Sequence, residues 1–250
     1  PDGNFPKGRP DPMIPQNRQE TISKIDETGA DFGVAWDADA DRCFFFDEAG
    51  EFIEGYFITA LLAKIILKKY PGSKIIFDPR LTWANIDTVT ENGGIPIINK
   101  CGHSFFKDRM RREDAAFAGE MSAHYYFRDN FYADNGMIPF MMMLEALSVS
   151  GSTLSQLLSP LRSKYFVSGE INKTVNSAQK IIDFLGVKYR DSTIDHIDGL
   201  SIEYPDWRFN LRPSNTEPLL RLNLEARSRD LMEEKRDEIV RLIRRIDEGF

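Results

Sequence analysis

The sequence has 250 residues and a formal net charge of −7. This charge argues against a nucleic-acid-binding protein, and a chain of this length is predicted to form two or three domains rather than one core. Its two cysteines, Cys43 and Cys101, are far apart and in no metal-binding spacing, which is typical of reduced cytoplasmic thiols. The most apolar stretch, 137–149, contains Pro139 and Glu145 and is too short to cross a bilayer, so we expect no membrane partner.

The sequence begins with a proline-rich segment, PDGNFPKGRPDPMIPQN. It lacks the charged and apolar regions of a signal peptide and has the character of an internal segment, so we expect the chain to be part of a longer protein. A helix is predicted from Asn17 to Thr28 and ends at Gly29.

An acidic loop follows between two apolar runs, Phe32 to Trp36 and Cys43 to Phe46. Aspartate is unfavourable inside strands, so the runs are predicted to be buried strands joined by a tight loop. Three carboxylates this close repel one another unless a cation lies among them, and oxygen ligands suit a hard ion such as Mg²⁺. The three residues are Asp37, Asp39 and Asp41.

Two other interpretations of this loop stay open. It could be a solvated acidic turn, or an EF-hand loop in which the three aspartates and Glu48 occupy the usual ligand positions. Against the EF-hand, Arg42 stands where that loop needs glycine, and the flanking residues show no helix pattern. Arg42 also places a fixed cation beside the predicted metal, as expected where a phosphate approaches it.

The region from 57 to 118 alternates helices and strands. Helices are predicted at 57–69, 85–92 and 105–113, and strands at 74–77, 95–98 and 115–118. This alternation predicts βαβ units with a mainly parallel sheet, and the loops after such strands are the usual place for a site. A further helix is predicted from Met137 to Leu147, with its methionines in the core.

The loop that follows the strand at Ala118 carries Glu120, Ser122 and His124. These side chains can exchange hydrogen bonds with the hydroxyl groups of a sugar, and the imidazole could carry a proton. An ordinary polar loop with a surface histidine explains the same residues equally well. His103 offers a second imidazole upstream, although a helix-capping loop is the simpler explanation there.

After Ser163 the pattern changes to strands at 165–172, 200–204, 207–211 and 219–226, with helices at 175–185 and 230–246. Polar and apolar residues alternate along the last strand, which indicates a one-sided antiparallel sheet and a separate α+β domain. The connection at Arg212 collects many hydrogen-bond donors, which suits a phosphate dianion better than a solvated turn. These donors are Arg212, Ser214, Asn215 and Thr216, followed by Arg221 on the strand.

Three motifs occur in the order WDADADRC, GEMSAH and RPSNTEP. With them the sequence resembles the α-D-phosphohexomutase superfamily, in particular its bacterial phosphomannomutase/phosphoglucomutase branch. The resemblance covers essentially the whole chain and implies three-layer α/β domains with mixed, mainly parallel sheets, plus a C-terminal α+β domain with an antiparallel sheet. It divides the chain into the end of domain two at 1–51, domain three at 52–163 and domain four at 164–250. The first domain of the family, with its phosphorylated serine in a T-x-S-H-N-P-type loop, is then expected to lie outside these residues.

The resemblance also implies a role for each candidate residue. The acidic loop would hold Mg²⁺, Arg42 would meet phosphate or substrate, and the two histidines would lie in the active site. Glu120 and Ser122 would read sugar hydroxyls, and the segment at Arg212 with Arg221 would hold phosphate. The resemblance also implies a substrate-binding role for Arg80, at a position where some relatives have lysine. Alanines stand in the acidic loop where glycines are commoner, and the second motif ends in Ser-Ala-His where many members have Ser-Gly-His.

The activity implied by the resemblance is a reversible phosphoryl relay between mannose 6-phosphate and mannose 1-phosphate. A phosphoserine donates its phosphate to give a hexose 1,6-bisphosphate, and the other phosphate then returns to serine. Such a cytoplasmic enzyme would supply GDP-mannose for polysaccharide synthesis. Phosphoglucomutase and phosphoglucosamine mutase are the alternatives among enzymes, and a metal-binding module without chemistry is the alternative outside them.

Overall fold

The computed structural model describes residues 3–6, 8, 10–214 and 218–249. The chain divides into two compact units. The first unit consists of Pro1–Asp78 and Trp83–Leu161. The second unit consists of Arg162–Phe250 together with the four-residue segment Pro79–Thr82.

The first unit begins with a short 3₁₀ helix, Pro15–Arg18, that leads into α1, Gln19–Thr28. Gly29 ends α1 in the left-handed conformation, with a φ of 61°, and its N–H donates to the carbonyl of Ile25. The predicted helix is therefore confirmed, and its first residues form the 3₁₀ turn because Pro15 lies at its start.

An antiparallel three-stranded sheet follows, in the order β1-β2-β3. It is built from β1, Gly33–Trp36, β2, Cys43–Phe46, and β3, Phe52–Ile53. All four side chains of β2 are buried, as the apolar run predicts. Strands flank the acidic loop on both sides, so the EF-hand alternative, which needs helices there, is wrong.

The larger sheet of the first unit is mixed and has five strands in the order β5-β4-β6-β7-β8. β4 pairs in parallel with β5 and β6, while β7 and β8 continue the sheet antiparallel. The mixed, partly parallel sheet confirms the predicted class. The strands are β4 Lys74–Phe77, β5 Ile95–Ile98, β6 Phe117–Gly119, β7 Tyr125–Phe127 and β8 Ala133–Asp134.

The helices of the first unit connect and cover these sheets. α2 is buried along most of its length, because both faces of the helix pack inside the unit. The predicted methionine core of α5 is only partly correct: Met143 is buried, whereas Met137 and Met141 are exposed. The helices are α2 Gly55–Lys69, α3 Trp83–Glu91, α4 His103–Glu113, α5 Met137–Ser150 and α6 Leu154–Arg162.

No single helix in the described residues is long and apolar enough to cross a membrane. Among the helices of the described part of the chain, only α5 and α6 taken together reach that length and composition, and the two are bent by 96° at their junction.

The second unit is an antiparallel sheet in the order β10-β14-β13-β12-β11, with β9 also paired to β14. This confirms the predicted C-terminal α+β architecture. Ser177 and Ser228 cap α7 and α8 by accepting hydrogen bonds from main-chain N–H groups. The elements are β9 Phe166–Val167, β10 Ile171–Thr174, α7 Ala178–Lys188, β11 Thr193–Asp195, β12 Leu200–Glu203, β13 Trp207–Pro213, β14 Leu219–Ala226 and α8 Arg229–Asp247.

The sequence predicts that one face of this sheet is buried and the other is exposed to solvent, but in the structure both faces contain buried residues. One face carries the apolar core, with Leu211, Leu222 and Leu224 fully buried. The polar face is buried as well: Asn223 and Glu225 are each 0% exposed. The alternation along β14 therefore marks two different buried surfaces, one apolar and one polar.

Candidate functional site

The acidic loop forms the turn of the β1–β2 hairpin. The pairing of Trp36 with Cys43 brings the two ends of the loop together, and Ala40 takes the left-handed conformation with a φ of 59°. One carboxylate oxygen from each of the three aspartates lies within 4.8 Å of the others. The hairpin thus places three carboxylates where one cation can contact them all.

Arg42 is held at the edge of this loop by Asp37. Its Nε donates to Asp37 Oδ2 at 2.6 Å and its main-chain N–H to Asp37 Oδ1 at 3.2 Å. Burial raises the pKa of Asp37, but the hydrogen bonds and charge of Arg42 outweigh that effect, so its pKa is lowered. Arg42 Nη1 also lies 3.7 Å from a carboxylate oxygen of Asp11.

Asp41 shows why the loop suits a cation. Its Oδ1 atom is buried and has no hydrogen-bond partner among the described residues. Burial raises the pKa of Asp41 and the charges of Asp37 and Asp39 add to the increase, while His124 opposes it. An orphaned buried oxygen beside two further carboxylates is the donor set of a hard divalent cation, so the loop fits such an ion.

The Glu120 loop, which we define as residues 120–124, joins β6 to β7. Two main-chain hydrogen bonds close it, from the N–H of Glu120 to the carbonyl of His124 at 2.9 Å and from the N–H of Ala123 to the carbonyl of Glu120 at 2.9 Å. The loop lies beside the acidic hairpin, because Arg42 and His124 form an antiparallel bridge and Cys43 N–H donates to the carbonyl of Ala123 at 3.1 Å. The predicted metal and sugar residues of the first unit are thus neighbours.

Glu120 is a buried carboxylate, 3% exposed. Its Oε1 accepts from the Tyr126 hydroxyl at 2.5 Å, and its Oε2 accepts from the Gly102 N–H at 3.0 Å. Each oxygen keeps a further lone pair, so Glu120 can still accept from a ligand, and its orientation is already fixed by protein donors.

His124 connects the two loops. Its Nε2 lies 3.5 Å from Asp41 Oδ2, and its Nδ1 lies 3.2 Å from Ser122 Oγ and 3.7 Å from Glu120 Oε1. The ring of His103 stacks beside it, with centroids 6.4 Å apart. The structure therefore brings both predicted histidines together with Ser122, although they come from separate stretches of the sequence.

The second unit holds the described residues of the predicted phosphate set, Arg212, Ser214 and Arg221, together with Arg80, which is predicted to bind substrate. Arg80 Nη1 lies 3.7 Å from Glu170 Oε2, and Arg221 Nη1 lies 3.1 Å from Glu170 Oε1. Arg212 Nη1 lies 3.7 Å from Asp198 Oδ2, and its Nε is buried without a hydrogen-bond partner among the described residues. Arg212 and Arg221 are also register partners on β13 and β14, so the three arginines form a group with two carboxylates among them.

The segment that follows Arg212 is only partly described. Ser214 N–H donates to the carbonyl of Leu219 at 2.7 Å, which closes the β13–β14 connection. The predicted phosphate contacts Asn215 and Thr216 lie outside the described residues.

Several residues of these clusters are not predicted from the sequence. Asp11 lies beside Arg42, and the Gly102 N–H donates to Glu120. In both pairs the two residues are far apart in the sequence, and no local motif links them. Glu170 and Asp198 lie among the arginines, and only the pairing of strands places them there.

These features define an α/β protein with an acidic hairpin that fits a divalent cation and a group of arginines in its second unit. Family models of phosphoglucomutase/phosphomannomutase match along nearly all of the sequence. The model of α/β/α domain II matches residues 1–50, that of α/β/α domain III matches residues 54–165, and that of the C-terminal domain matches residues 170–242. The chain belongs to the phosphoglucomutase/phosphomannomutase family.

Individual relatives agree. A Xanthomonas campestris protein named "Phosphohexose mutases" is 51% identical over 247 residues, covering 98% of this chain and 55% of that protein. A phosphomannomutase of Escherichia coli is also 51% identical over 247 residues, with 98% and 54% covered. The X-ray structure of a phosphoglucomutase/phosphomannomutase family protein from Burkholderia thailandensis superimposes with a TM-score of 0.86 at 35% identity, covering 99% of this chain and 54% of that one. The chain spans about half the length of the curated relatives it matches.

Proposed function

We propose that the chain carries the metal, sugar and phosphate residues of a phosphomannomutase. The reaction is the reversible conversion of mannose 6-phosphate and mannose 1-phosphate through a phosphoserine and a 1,6-bisphosphate, in a cytoplasmic enzyme that supplies GDP-mannose. The observation that carries this proposal is the convergence of the acidic hairpin and the Glu120 loop, in a chain about half identical to a phosphomannomutase over nearly its whole length. Phosphoglucomutase and phosphoglucosamine mutase activity are the alternatives.

The acidic hairpin would bind Mg²⁺ through Asp37, Asp39 and Asp41. When bound, the ion supplies positive charge that polarises a phosphate group. Arg42, fixed by Asp37, adds a permanent guanidinium charge at the same edge and can hydrogen-bond phosphate oxygens. Reversible phosphoryl transfer needs mainly this positioning and neutralisation of charge.

The Glu120 loop would hold the sugar. Glu120 and Ser122 can accept and donate hydrogen bonds to adjacent ring hydroxyls, and Tyr126 and Gly102 keep the carboxylate in place. His124, next to both Ser122 and Asp41, is placed to hold or move a proton at a hydroxyl oxygen. His103 stacks on its ring and supports that position.

The second unit would hold a phosphate dianion. Its set comprises Arg80, Arg212, Ser214, Asn215, Thr216 and Arg221. Glu170 and Asp198 balance the arginine charges in the structure, so a dianion must compete with these carboxylates for the same guanidinium groups. The competition keeps the arginines in place without a ligand and moderates the affinity for phosphate.

The predicted division into 1–51, 52–163 and 164–250 is part of this proposal. The family models support this division. The match to domain II ends at residue 50 and that to domain III begins at residue 54, while the match to domain III ends at residue 165 and that to the C-terminal domain begins at residue 170. The cytoplasmic location is also a proposal, and it is compatible with Cys43 and Cys101 being thiols that do not form a disulfide.

The metal assignment is tested by calorimetric titration of Mg²⁺ into the chain and into Asp39→Asn. We expect the variant to bind at least about tenfold more weakly, a difference of ~1.4 kcal/mol, because one of three carboxylates loses its charge. Asp31→Asn is the matched control, since Asp31 is exposed and lies outside the loop. Equal affinities for the chain and Asp39→Asn would refute the assignment.

The sugar assignment is tested by titrating mannose 6-phosphate, glucose 6-phosphate and glucosamine 6-phosphate into the chain and into Glu120→Ala. Loss of the carboxylate leaves ligand hydroxyls unpaired, which costs about 1–3 kcal/mol for each affected group. We expect Glu120→Ala to weaken all three ligands and mannose 6-phosphate to bind best. Unchanged binding in the variant would exclude the role of Glu120, and a preference for another sugar phosphate would favour the corresponding mutase.

A further inference from the structure

The polar face of the second-unit sheet contains a buried ion pair, although removing charged groups from water is energetically unfavourable. Arg208 on β13 and Glu225 on β14 are register partners, and they are 2% and 0% exposed. Replacing such a pair by apolar residues is often neutral or stabilising, so a buried pair is poorly explained by its contribution to stability.

The contacts of the pair show what it holds. Arg208 Nη1 donates to Glu225 Oε1 at 2.9 Å and to the carbonyl of Arg80 at 3.1 Å, and Nη2 donates to the carbonyl of Pro79 at 2.9 Å. Glu225 Oε1 accepts from the N–H of Thr82 at 2.7 Å. The pair thus binds three main-chain groups of the segment Pro79–Thr82.

This segment has neither helix nor strand of its own between β4 and α3. Its residues are nevertheless buried, and the side chain of Arg80 is only 4% exposed. From there Arg80 reaches Glu170, which also contacts Arg221. The position of the Arg80 guanidinium therefore depends on a main chain that Arg208 and Glu225 hold.

We propose that Arg208 and Glu225 are positioning residues of the phosphate site. They bind the main chain of Pro79–Thr82 and so keep the guanidinium group of Arg80 beside that of Arg221. A guanidinium is required because it donates from two nitrogen atoms in a fixed fork, one toward each carbonyl, while still binding the carboxylate. The inference rests on the proposed function in so far as Arg80 and Arg221 bind phosphate.

The test uses the double variant Arg208→Met/Glu225→Leu, which removes both charges together and leaves no lone buried charge. Hydrogen exchange measured by mass spectrometry should show at least about tenfold faster exchange in the peptide that contains Thr82, a loss of ~1.4 kcal/mol of protection. Strands β13 and β14 should keep their protection. Calorimetric titration of inorganic phosphate should show a similar tenfold weakening.

Arg208→Lys is the second variant, because it keeps the charge beside Glu225 but has one ammonium group instead of a fork. We expect it to remain folded and to lose protection at Thr82 as the double variant does. Unchanged exchange at Thr82 in a folded variant of either kind would overturn the positioning role. If the double variant fails to fold, the lysine variant alone decides.

Arg80→Met separates this inference from the proposed function. If Arg80 binds phosphate, Arg80→Met should weaken phosphate binding, and adding Arg208→Lys should weaken it little further, because both changes remove the same contact. If Arg80→Met leaves phosphate affinity unchanged, the phosphate role of Arg80 is wrong. In that case the exchange at Thr82 still shows whether Arg208 and Glu225 hold the segment.

Discussion

Two alanines of the candidate site adopt a backbone conformation that suits glycine. Ala40 in the acidic hairpin has a φ of 59°, and Ala123 in the Glu120 loop has a φ of 69°. The left-handed region is unfavourable for a residue with a Cβ atom by roughly 1–2 kcal/mol. Both alanines lie in motifs where the family that the sequence resembles commonly has glycine. Alanine at these two positions therefore has a cost in backbone conformational energy.

Ala40→Gly should therefore stabilise the chain by roughly 0.5–1 kcal/mol, because relief of the left-handed strain exceeds the entropy lost by glycine. Ala40 is exposed, so no packing is lost. The measurement is urea unfolding in EDTA, which excludes any contribution from a bound metal.

Ala38→Gly is the matched control, since Ala38 is also exposed and next to Asp39 but has no positive φ. Glycine there should destabilise the chain by about 0.4–1 kcal/mol. A decrease in stability for both variants would contradict the strain argument.

At the level of single residues, the sequence was informative wherever chemistry is local. The acidic hairpin is recognisable because its three carboxylates lie within five consecutive residues, and the turn then brings them together. Glu170 could not be predicted in the same way, because its contact with Arg80 joins two residues that are far apart in the sequence.

At the level of elements, the turn between β2 and β3 is tied to the start of α6. Glu48 accepts hydrogen bonds from the N–H and the hydroxyl of Ser155. Burial raises the pKa of Glu48, but hydrogen bonds from Ser155 and Thr153 outweigh it and lower the pKa to about 2. A carboxylate at a helix N-terminus also interacts favourably with the helix dipole.

Glu48→Gln should destabilise the chain at pH 7 by about 1–2 kcal/mol, because hydrogen bonds to a charged acceptor are stronger than those to an amide. The direction in which this stabilisation changes with pH follows from the lowered pKa of Glu48. The carboxylate stabilises the fold above the ordinary pKa of 4.5, and this contribution is lost as the pH falls toward about 2. The difference between the chain and the variant should therefore shrink between these two values.

Urea unfolding at several pH values from 7 to 3 measures this difference. Glu145→Gln, which changes an exposed glutamate on α5, is the control and should show little effect at any pH. A constant difference between the chain and Glu48→Gln over this range would exclude the proposed contribution of the charge.

Helices and strands were predictable where the periodic pattern of apolar residues extends over many residues, as in α2, β13 and β14. β7 and β8 were not predicted, because Tyr125 to Phe127 is a short aromatic run whose strand state comes from its pairing with β6. The polar face of β14 was also misjudged: alternation alone cannot distinguish solvent from a buried polar partner, and the partner here is the segment Pro79–Thr82.

At the level of the whole molecule, the proposed residues fall into two groups, one in each compact unit. The metal and sugar residues lie in the first unit, and the described phosphate residues lie in the second. The segment Pro79–Thr82 belongs to the second unit, although its neighbours in sequence, Asp78 and Trp83, belong to the first. The sequence therefore predicts the order of the domains but not the placement of this segment. The segment is held by Arg208 and Glu225, which lie more than 125 positions away in the sequence.

A polypeptide of these 250 residues should bind Mg²⁺ and phosphate but should not interconvert mannose 6-phosphate and mannose 1-phosphate. The proposed relay needs a phosphorylated nucleophile that takes back the phosphate it gave, and no serine here has the T-x-S-H-N-P context. Ser122 and Ser214 belong to the proposed sugar and phosphate residues, and Ser104 follows a histidine without the Asn-Pro sequence. The measurement is a coupled assay with a hexose 1,6-bisphosphate activator, in the presence and absence of the upstream half of the Xanthomonas campestris relative. We expect turnover only when that half is added. Turnover by the purified polypeptide alone, abolished in Asp39→Asn, would show that a nucleophile of the relay lies within this sequence.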